Sequence, residues 1–473
     1  MIRLGDIMFT YSFENKGGDS LYEYLYKCIT RDIISGRLLP DEKLPSKRTL
    51  AEHLCISTIT VENAYNQLMA EGYIYSKPRS GFYVSRISSP RLNTPQPIAD
   101  ATVSVYPAEK TYAVDFVANS AAKGSFPFSV WTKLMRQAMS DKSDLLTVSS
   151  PSVGIRDLRL AISDYLFQFR GMRADPDCIV VGAGTEYLYS LIIQLLGRNR
   201  KYAVEDPGHL KIAQIYKANN VSLDYISLDE NGVCVDSLEK SGANVLHISP
   251  SHHFPTGIVT PVNRRYELLS WAEKSPGRYI IEDDYDSEFR FTGRPIPSLQ
   301  SIDSSGKVIY INTFSKSLTS TIRISYMVLP KDLMELYKKE LSFYSCTVSN
   351  FEQYTLAEFI RQGYYEKHIN RMRNYYRTQR DTLMQEIAKH PLFGRVQIKE
   401  EDAGLHFLMK IDTDLSDGEL TEKGRAKGIN FACLSRYYHN KNAADAHTLI
   451  INYSGLSPGK IKTAVELLFE CIA

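Results

Sequence analysis

Short apolar runs alternate with amphipathic stretches from about residue 111 to the end of the chain. The apolar runs are CIVVGAG, KYAVED, NVLHISP, RYIIEDDY and KVIYIN, and helical patterns such as EYLYSLIIQLLG lie between them. This alternation predicts an α/β fold whose sheet is mostly parallel. Because a chain of 473 residues is too long for one ordinary core, we expect two or more domains.

Three regions differ in composition and periodicity. Residues 18–85 predict a compact helical unit that ends in a hairpin, and residues 111–473 predict the α/β domain. Residues 86–110, RISSPRLNTPQPIADATVSVYPAEK, are rich in Pro, Ser and Ala and lack periodicity. Such a composition is typical of a linker.

The composition favours a globular protein of the cytoplasm. No run of about 18 apolar residues occurs, so we expect no membrane span, and the N-terminus MIRLGDIMFTYSFEN lacks the apolar core of a signal peptide. The cysteines are scattered and form no CxxC pair, which argues against a disulfide framework or a metal site. The net charge of +2 does not indicate a partner.

The N-terminal region carries the pattern of a winged helix-turn-helix. Its first helix, DSLYEYLYKCITRDIISG, can be capped by Asp19 or Ser20 and ended by Gly36. The spacing of this helix places Leu21, Leu25, Ile29 and Ile33 on one face. A helix capped by Ser46, a turn CIS and a second helix TITVENAYNQLMAEG then form the helix-turn-helix. The stretch YIYSKPRSGFYV predicts the wing.

The arrangement of polar side chains in this region favours DNA as the partner. Lys47 and Arg48 lie at a predicted helix N-terminus, where backbone N–H groups also favour phosphate. The candidates for contact with DNA are Ser46, Lys47, Arg48, Thr58, Thr60 and Asn63 on the helices, and Lys77, Arg79 and Gly81 on the wing. A three-helix oligomerisation module is the alternative, because the charge balance of the region does not exclude it.

The stretches LPSKRTLA, AYNQLMAEG and SGFYV resemble the DNA-binding domain of the GntR family of bacterial regulators. The resemblance implies that the region binds double-stranded operator DNA. Many members carry Arg early in the recognition helix, where this chain has Thr58. The base preference of those members therefore does not transfer to this chain.

The stretch TFSKSL at 313–318 places Lys316 directly after the apolar run KVIYIN. A lysine amine becomes a useful covalent group when it is partly unprotonated, and burial beside a second cation such as Arg323 promotes this. A lysine in this setting suits a Schiff base with pyridoxal 5'-phosphate. That cofactor also needs an anion at its ring nitrogen, a phosphate cradle and a clamp on its ring.

Each of these needs has a candidate. Asp283, after a buried apolar run, can hold the ring nitrogen protonated, and Tyr285 can reach the ring hydroxyl. The candidates for the phosphate are the planar fork of Arg323, the hydroxyl of Thr313 and the N–H groups of Gly184 and Thr185 in VVGAGTEYLYSLI. Each feature alone is usually a solvated lysine, a solvated acidic turn or an ordinary Gly-rich turn. Their joint order along the chain is much less expected by chance.

Residues from about 111 to 473 resemble the fold-type I aminotransferases, and the complete chain resembles the MocR subfamily of GntR regulators, its GabR-like members most closely. The stretches SPSHHFPTGIVTPVNRR, RYIIEDDYDSEF, TFSKSL, RISYMVLP and AGLHF carry this likeness. The resemblance implies a homodimer and an internal aldimine between Lys316 and the cofactor. It also implies roles for Asp283 at the pyridine nitrogen, Tyr285 at the ring oxygen, and Arg323, Thr313, Ala183, Gly184 and Thr185 at the phosphate.

The resemblance extends to the ligand pocket, with departures. Arg436 in CLSRYYH matches the arginine that grips the carboxylate of an amino-acid effector. His252 or His253 in SHHFPTG replaces the Asn that contacts the ring oxygen in aminotransferases. His209 stands where GabR-like proteins have a Tyr stacked on the ring, and Lys211 stands where they have a second carboxylate-binding Arg. Because lysine is a point charge and not a fork, the identity of the effector does not transfer.

Several functions remain compatible with this sequence. In the first, a transcriptional regulator senses an amine that displaces Lys316 and forms an external aldimine. In the second, an active aminotransferase carries a DNA-binding appendage. In a third, a regulator responds to pyridoxal phosphate itself, and in a fourth the large domain is a relic that only dimerises. The fusion to a winged helix favours regulation, because a catalyst needs no such domain.

Overall fold

A computed structural model describes residues 9–13, 16–87, 111–118, 122, 124–291, 296–399 and 404–472. The chain divides into two units, Met1–Ala108 and Glu109–Ala473. The predicted linker, residues 86–110, lies outside the described residues except for its first two positions.

Three helices and a hairpin form the N-terminal unit. They are α1 (Leu21–Ile34), α2 (Lys47–Leu54), α3 (Thr58–Ala70), β1 (Ile74–Lys77) and β2 (Gly81–Val84). Strands β1 and β2 pair antiparallel, with Ile74 opposite Val84 and Lys77 opposite Gly81. The predicted helix-turn-helix and wing are therefore confirmed.

Serine caps and an apolar stripe explain why these helices form where they do. Ser20 precedes α1, and Ser46 and Ser57 cap α2 and α3 by accepting the N–H groups three residues further on. The core of the unit contains Leu25, Ile29, Ile33, Leu50, Val61, Tyr65 and Leu68. Leu21 lies in the first turn of α1, beyond the core, and is 38% exposed, whereas Leu25, Ile29 and Ile33 are buried.

Fourteen further strands lie in the C-terminal unit of the described chain. They are β3 (Val114–Asp115), β4 (Ile179–Gly182), β5 (Lys201–Asp206), β6 (Ser222–Asp229), β7 (Gly232–Val233), β8 (Val245–Ile248), β9 (Tyr279–Asp283), β10 (Val308–Thr313), β11 (Ser325–Val328), β12 (Val396–Lys399), β13 (His406–Ile411), β14 (Ile429–Asn430), β15 (Ala432–Cys433) and β16 (Thr448–Asn452). Eight of them form one sheet in the order β4-β11-β10-β9-β8-β5-β6-β7.

Helices connect and cover these strands. They are α4 (Phe128–Asp141), α5 (Ser143–Leu146), α6 (Arg156–Arg170), α7 (Thr185–Leu196), α8 (Leu210–Ala218), α9 (Val235–Ser241), α10 (Val262–Glu273), α11 (Leu299–Ile302), α12 (Phe314–Ser317), α13 (Lys331–Glu340), α14 (Asn350–Arg361), α15 (Tyr364–Lys389), α16 (Asp417–Ala426) and α17 (Ile461–Ile472). Short 3-10 helices span Pro176–Cys178, Ser287–Phe289, Phe393–Arg395, Leu434–Tyr437, Lys441–Ala443 and Pro458–Lys460.

Side chains that alternate along strand β4 pack into different cores on the two faces of the eight-stranded sheet. Ile179 and Val181 join a core with α4, α6 and α14, whereas Val180 between them joins a core with α7 and α13. This arrangement explains why the strands read as continuous apolar runs, since strands buried on both faces have no polar side. The predicted α/β fold is confirmed.

One edge of this sheet gathers the residues that the sequence singled out. Strands β5, β8, β9 and β10 pair in parallel, and β4 points the same way because it and β10 both flank the antiparallel β11. Residues that follow β4, β5, β9 and β10, and those that precede β11, therefore meet at the carboxyl edge. In open α/β sheets this edge is where ligands bind.

A second, antiparallel sheet lies nearer the C-terminus. Its strand order is β12-β13-β16-β15, and its apolar face packs with α15 and α17. The 3-10 helix Leu434–Tyr437 follows β15 directly and carries Arg436. Among the described residues, no helix combines the length and apolar character needed to cross a membrane.

A buried ion pair joins the end of α6 to the segment after β9. Nη2 of Arg170 lies 2.7 Å from Oδ2 of Asp284, and both side chains are almost completely buried. The same carboxylate oxygen accepts hydrogen bonds from Tyr310 at 2.7 Å and from Ser287 at 2.8 Å. The pair therefore fixes the acidic segment at the carboxyl edge of the sheet.

We expect Arg170→Met to destabilise the C-terminal unit by about 3–5 kcal/mol, because it leaves the Asp284 carboxylate buried without its counter-charge. The shift of the urea-unfolding midpoint measures this loss. The control is Lys274→Met, which removes the exposed ion pair with Glu239 and should cost less than about 1 kcal/mol. Equal shifts in the two variants would show that the buried pair contributes no more than a surface pair.

Candidate functional site

A cavity of about 520 Å³ opens at the carboxyl edge of the eight-stranded sheet. This volume is in the range of small-molecule sites. The predicted site residues that line it are Thr185, His209, Lys211, Asp283, Tyr285, Thr313, Lys316, Arg323 and Arg436. The fold thus brings together side chains from five separate stretches of sequence.

Lys316 lies on α12, the single helical turn that follows β10. Thr313 caps this turn, since its hydroxyl accepts the N–H of Ser315 at 3.1 Å and the hydroxyl of Ser325 at 2.8 Å. Burial lowers the pKa of Lys316 to about 8, although the carboxylate of Asp286 opposes the shift. A substantial fraction of the amine is therefore neutral near physiological pH and available as a nucleophile.

Asp283 ends β9 and offers an anionic oxygen to the cavity. Its Oδ2 accepts a hydrogen bond from the hydroxyl of Tyr189 and lies 3.6 Å from Nε2 of His247. Its Oδ1 is buried and has no hydrogen-bond partner among the described residues. A buried carboxylate oxygen of this kind calls for a donor, and the protonated nitrogen of an aromatic ring can supply one.

Arg323 lies directly against the Gly-rich turn between β4 and α7. A Cβ on Gly184 would lie 2.8 Å from Cζ of Arg323, and the φ of Gly184 is +93°. Glycine is favoured here because L side chains rarely adopt this backbone conformation, and a Cβ would also displace the guanidinium of Arg323. The guanidinium therefore faces the start of α7, where helix N–H groups also favour an anion.

Two N–H groups of the turn have other acceptors in this structure. The N–H of Ala183 donates to the hydroxyl of Thr347 at 2.9 Å, and that of Gly184 donates to the carbonyl of Gly182 at 2.9 Å. Thr185, the first residue of α7, lines the cavity, and its N–H has no partner within the helix by virtue of its position. The phosphate-binding roles of Ala183 and Gly184 stay predictions.

Lys211 is part of a charged chain at the cavity wall. Its ammonium donates to Oε1 of Glu186, and the same oxygen lies 3.6 Å from Nη2 of Arg323. The hydrogen bond from Lys211, together with both positive charges, lowers the pKa of Glu186. In this structure Lys211 therefore contacts a carboxylate of the protein, and its predicted contact with an effector stays a prediction.

Arg436 is exposed at the cavity and held there by a contact with the end of β5. The carboxylate of Asp206 accepts the backbone N–H of His439 at 2.6 Å and that of Asn440 at 3.0 Å. The segment that follows Arg436 is thus fixed to the strand that precedes His209. An arginine presented in this way can hold a ligand carboxylate with two parallel hydrogen bonds.

Of the three histidines predicted to contact the cofactor ring, one lines the cavity and two do not. His209 lines the cavity, and its Nδ1 accepts the N–H of Lys211 at 3.3 Å at the start of α8. His252 does not line the cavity, because its Nδ1 lies 2.9 Å from Asp286 and 3.3 Å from the hydroxyl of Tyr285. His253 is buried against Thr256. His252 therefore contacts two residues that line the cavity, Tyr285 and Asp286, and does not line it itself.

Sequence reasoning missed several residues of the cavity. Tyr189, Glu205, His247 and Asp286 all line it. Burial raises the pKa of Glu205 to about 8. Asp286 is visible in the motif DDYDSEF, and Tyr189 lies one helical turn after Thr185, so a search of the helix face could have found it. No local signal marks Glu205 or His247.

The predicted DNA-contacting residues of the helices differ in their exposure and in their contacts within the protein. Arg48 and Thr58 are exposed, whereas Nζ of Lys47 lies 2.7 Å from Glu62 of α3. The hydroxyl of Thr60 lies 2.7 Å from that of Ser57, so it is engaged at the start of α3. The hydroxyl of Ser46 likewise accepts the N–H of Thr49. Asn63 is exposed on the outer face of α3.

The wing presents its basic residues at a tight turn. Arg79 is exposed and has a φ of +60°, and Gly81 has a φ of +116°. Nζ of Lys77 lies 4.5 Å from the ring centroid of Tyr83. The wing tip thus holds two cations in a fixed backbone conformation, which suits contact with phosphate.

The cavity as a whole fits a phosphorylated aromatic aldehyde. Lys316 supplies a partly deprotonated amine, Asp283 a buried oxygen without a donor, and Arg323 a cation at a helix N-terminus. These are the amine, anion and phosphate partners that pyridoxal phosphate requires.

Residues 21–84 match the gntR family of bacterial regulatory proteins, and residues 114–468, more than half of the chain, match aminotransferase class I and II. A crystal structure of the kynurenine aminotransferase of Pyrococcus horikoshii has the same fold, with a TM-score of 0.68 and 22% identity over 77% of this chain and 91% of that one. The fold and the cavity together define an aminotransferase-like domain joined to a winged helix.

Two curated relatives match nearly end to end. The HTH-type transcriptional regulator YdeL of Bacillus subtilis is 37% identical over 95% of this chain and 96% of its own length. The probable rhizopine catabolism regulatory protein MocR of Rhizobium meliloti is 28% identical over 95% and 93%. The chain therefore belongs to the MocR subfamily of GntR-family transcriptional regulators, as its resemblance predicted.

We expect the rate at which the cofactor-free protein captures added pyridoxal phosphate to rise with pH around a midpoint of about 8. Only the neutral amine of Lys316 reacts, and its fraction grows as the pH rises through the pKa. Stopped-flow absorbance measures this rate. Asp286→Asn should lower the midpoint, because the carboxylate of Asp286 favours the charged amine. A midpoint near 10.5, the ordinary lysine value, would contradict the burial argument.

Proposed function

We propose that the protein is a pyridoxal phosphate-dependent transcriptional regulator that binds operator DNA through its winged helix and senses an amino compound at Lys316. The observation that carries this proposal is the pairing, in one cavity, of a buried lysine of pKa about 8 with a buried carboxylate oxygen that lacks a donor. A structural platform would need neither feature.

Four residues of the cavity have named roles in this proposal. The cofactor supplies an aldehyde that bonds covalently to a primary amine. Lys316 holds it in the resting state, Asp283 keeps its ring nitrogen protonated, and Arg323 binds its phosphate. Arg436 binds the carboxylate of the effector, whose amine then takes the place of the lysine amine. Because this exchange changes the covalent partner, it distinguishes two states, as a switch requires.

The assembly and location follow from the same proposal. The protein acts as a homodimer, so that two winged helices meet two half-sites of an operator, and it acts in the cytoplasm, where bacterial operator DNA lies. The family assignment supports this proposal, since its relatives bear the names of transcriptional regulators.

An active aminotransferase is the second candidate. It is favoured by the lowered pKa of the Lys316 amine, because an amine of this kind that is not bonded to the cofactor can serve as a proton acceptor. A regulator that responds to pyridoxal phosphate alone is the third. In that case the effector carboxylate site would be unnecessary, and Arg436 would not affect regulation.

We expect the purified protein to be yellow with pyridoxal phosphate, and Lys316→Ala to lose the band of the lysine-bound cofactor. A panel of amino acids and amines is then added while the visible spectrum is recorded. A stable spectral change with one compound, without a keto product, supports the sensor. Conversion that is reversed by a keto acid supports the aminotransferase. A wild-type protein that stays colourless with the cofactor would contradict the proposal.

Variants of Arg436 separate the two kinds of regulator. Arg436→Ala should weaken the response to the active compound by tenfold or more, and Arg436→Lys should recover only part of it, because lysine keeps the charge and loses the fork. Both variants should bind pyridoxal phosphate normally. If Arg436→Ala regulates a reporter promoter as the wild type does, the cofactor itself is the signal.

We expect Arg48→Ala to weaken binding to a selected operator and to reduce the slope of log K against log salt by about 1, because one phosphate contact is lost. Fluorescence anisotropy at several salt concentrations measures this slope. Arg37→Ala is the control, since this exposed arginine lies outside the helix-turn-helix and, like Arg48 with Glu52, has a carboxylate partner, Asp32. An unchanged slope for Arg48→Ala would remove Arg48 from the DNA interface.

A further inference from the structure

The imidazole of His247 lies at the wall of the cavity, next to the carboxylate of Asp283. It is carried by β8, which pairs in parallel with β9, and it is 3% exposed. Its Nδ1 lies 2.9 Å from the hydroxyl of Tyr216, and its Nε2 lies 3.6 Å from Oδ2 of Asp283. Nε2 has no hydrogen-bond partner among the described residues. The ring is therefore anchored on one side and faces the carboxylate with the other.

The groups on the two sides of the ring, Tyr216 at Nδ1 and Asp283 at Nε2, favour one tautomer of His247. Tyr216 is fully buried, and Nδ1 of His247 is the hydrogen-bond partner of its hydroxyl among the described residues. Burial raises the pKa of Tyr216 well above its ordinary value, so the phenol keeps its proton and can donate it to Nδ1. The carboxylate oxygen of Asp283 that faces Nε2 can only accept, which favours a proton on Nε2. A neutral imidazole that accepts at Nδ1 carries its proton at Nε2. That N–H points at Asp283.

The other groups around the ring leave Asp283 as its acceptor. The titratable groups that face His247 are Tyr216 from α8, Tyr189 from α7, Asp283 from β9 and His209 at the start of α8. Tyr189 packs edge-on at 4.9 Å between ring centroids, and its hydroxyl donates to Asp283. Of these groups, Asp283 is the one with a carboxylate oxygen.

We propose that His247 is a positioning residue for the cofactor, and that Tyr216 sets its tautomer. The N–H at Nε2 holds Oδ2 of Asp283 together with Tyr189, which leaves Oδ1 for the ring nitrogen of the cofactor. The present separation of 3.6 Å is longer than a hydrogen bond, as is common for such contacts before a ligand is bound. This proposal rests on the proposed cofactor function and adds a chain of two residues to it.

The test compares His247→Phe, His247→Gln and Tyr216→Phe in the full-length protein. Two quantities are measured: the dissociation constant of pyridoxal phosphate, and the pH midpoint of the visible band of the bound cofactor. We expect His247→Phe to bind the cofactor about tenfold more weakly and to shift the midpoint, because Asp283 loses a donor to a charged group. His247→Gln should recover most of both, since its amide N–H can donate, and Tyr216→Phe should lie between.

Tyr202→Phe is the matched control for Tyr216→Phe. It also removes a buried hydroxyl, but that hydroxyl donates to the carbonyl of Gly197 at 3.0 Å and not to His247. The ring of Tyr202, which packs on that of Tyr216, is kept in Tyr202→Phe. This variant should leave both quantities unchanged. The thermal unfolding of all four cofactor-free variants separates a loss of stability from a loss of cofactor affinity.

The results of these measurements either support or overturn the role proposed for His247. Wild-type affinity and midpoint in both His247→Phe and Tyr216→Phe would overturn the proposal, as would equal effects of Tyr202→Phe and Tyr216→Phe. If His247→Phe does not fold, the comparison of those two tyrosine variants still decides. A wild-type protein that fails to capture pyridoxal phosphate would overturn the proposed function itself, and this is measured first.

Discussion

The burial of five carboxyl groups within seven consecutive residues is the constraint on which the rest of the C-terminal unit depends. These groups are Glu282, Asp283, Asp284, Asp286 and Glu288. Buried carboxylates are costly unless they are paired or protonated. The segment uses both solutions, because Arg170 pairs with Asp284 while burial raises the pKa of Glu282 and of Glu288 to about 7. Side chains from α6, α7, β8 and β10 contact the carboxylates of this segment.

The buried acidic segment also determines the chemical character of the cavity. A segment held this firmly keeps one oxygen of Asp283 without a donor and places Asp286 near the amine of Lys316. Neither feature stabilises the fold, and both are what a cofactor with a cationic ring nitrogen and an aldehyde needs. A domain of this kind fused to a winged helix can convert the identity of a bound amine into a change at DNA, provided that the amine binds two states differently.

Much of this arrangement was predictable because the informative residues follow strands. Asp283, Thr313 and Lys316 lie at or just after the ends of apolar runs, and parallel strands bring their carboxyl ends to one edge. The helix-turn-helix was predictable for a similar local reason, since Ser46 caps a helix beside an apolar stripe. These features depend on residues close together in sequence, whose pattern fixes the local structure.

The sequence by itself therefore determined the two kinds of domain, the covalent lysine and the order of the motifs. Tertiary structure alone decided which partners the polar groups find: Glu186 for Lys211, Asp206 for the segment after Arg436, and His247 for Asp283. The physical reason is that these partners come from elements brought together by the order of strands in the sheet. That order follows from long-range packing, and no local pattern of apolar and polar residues records it.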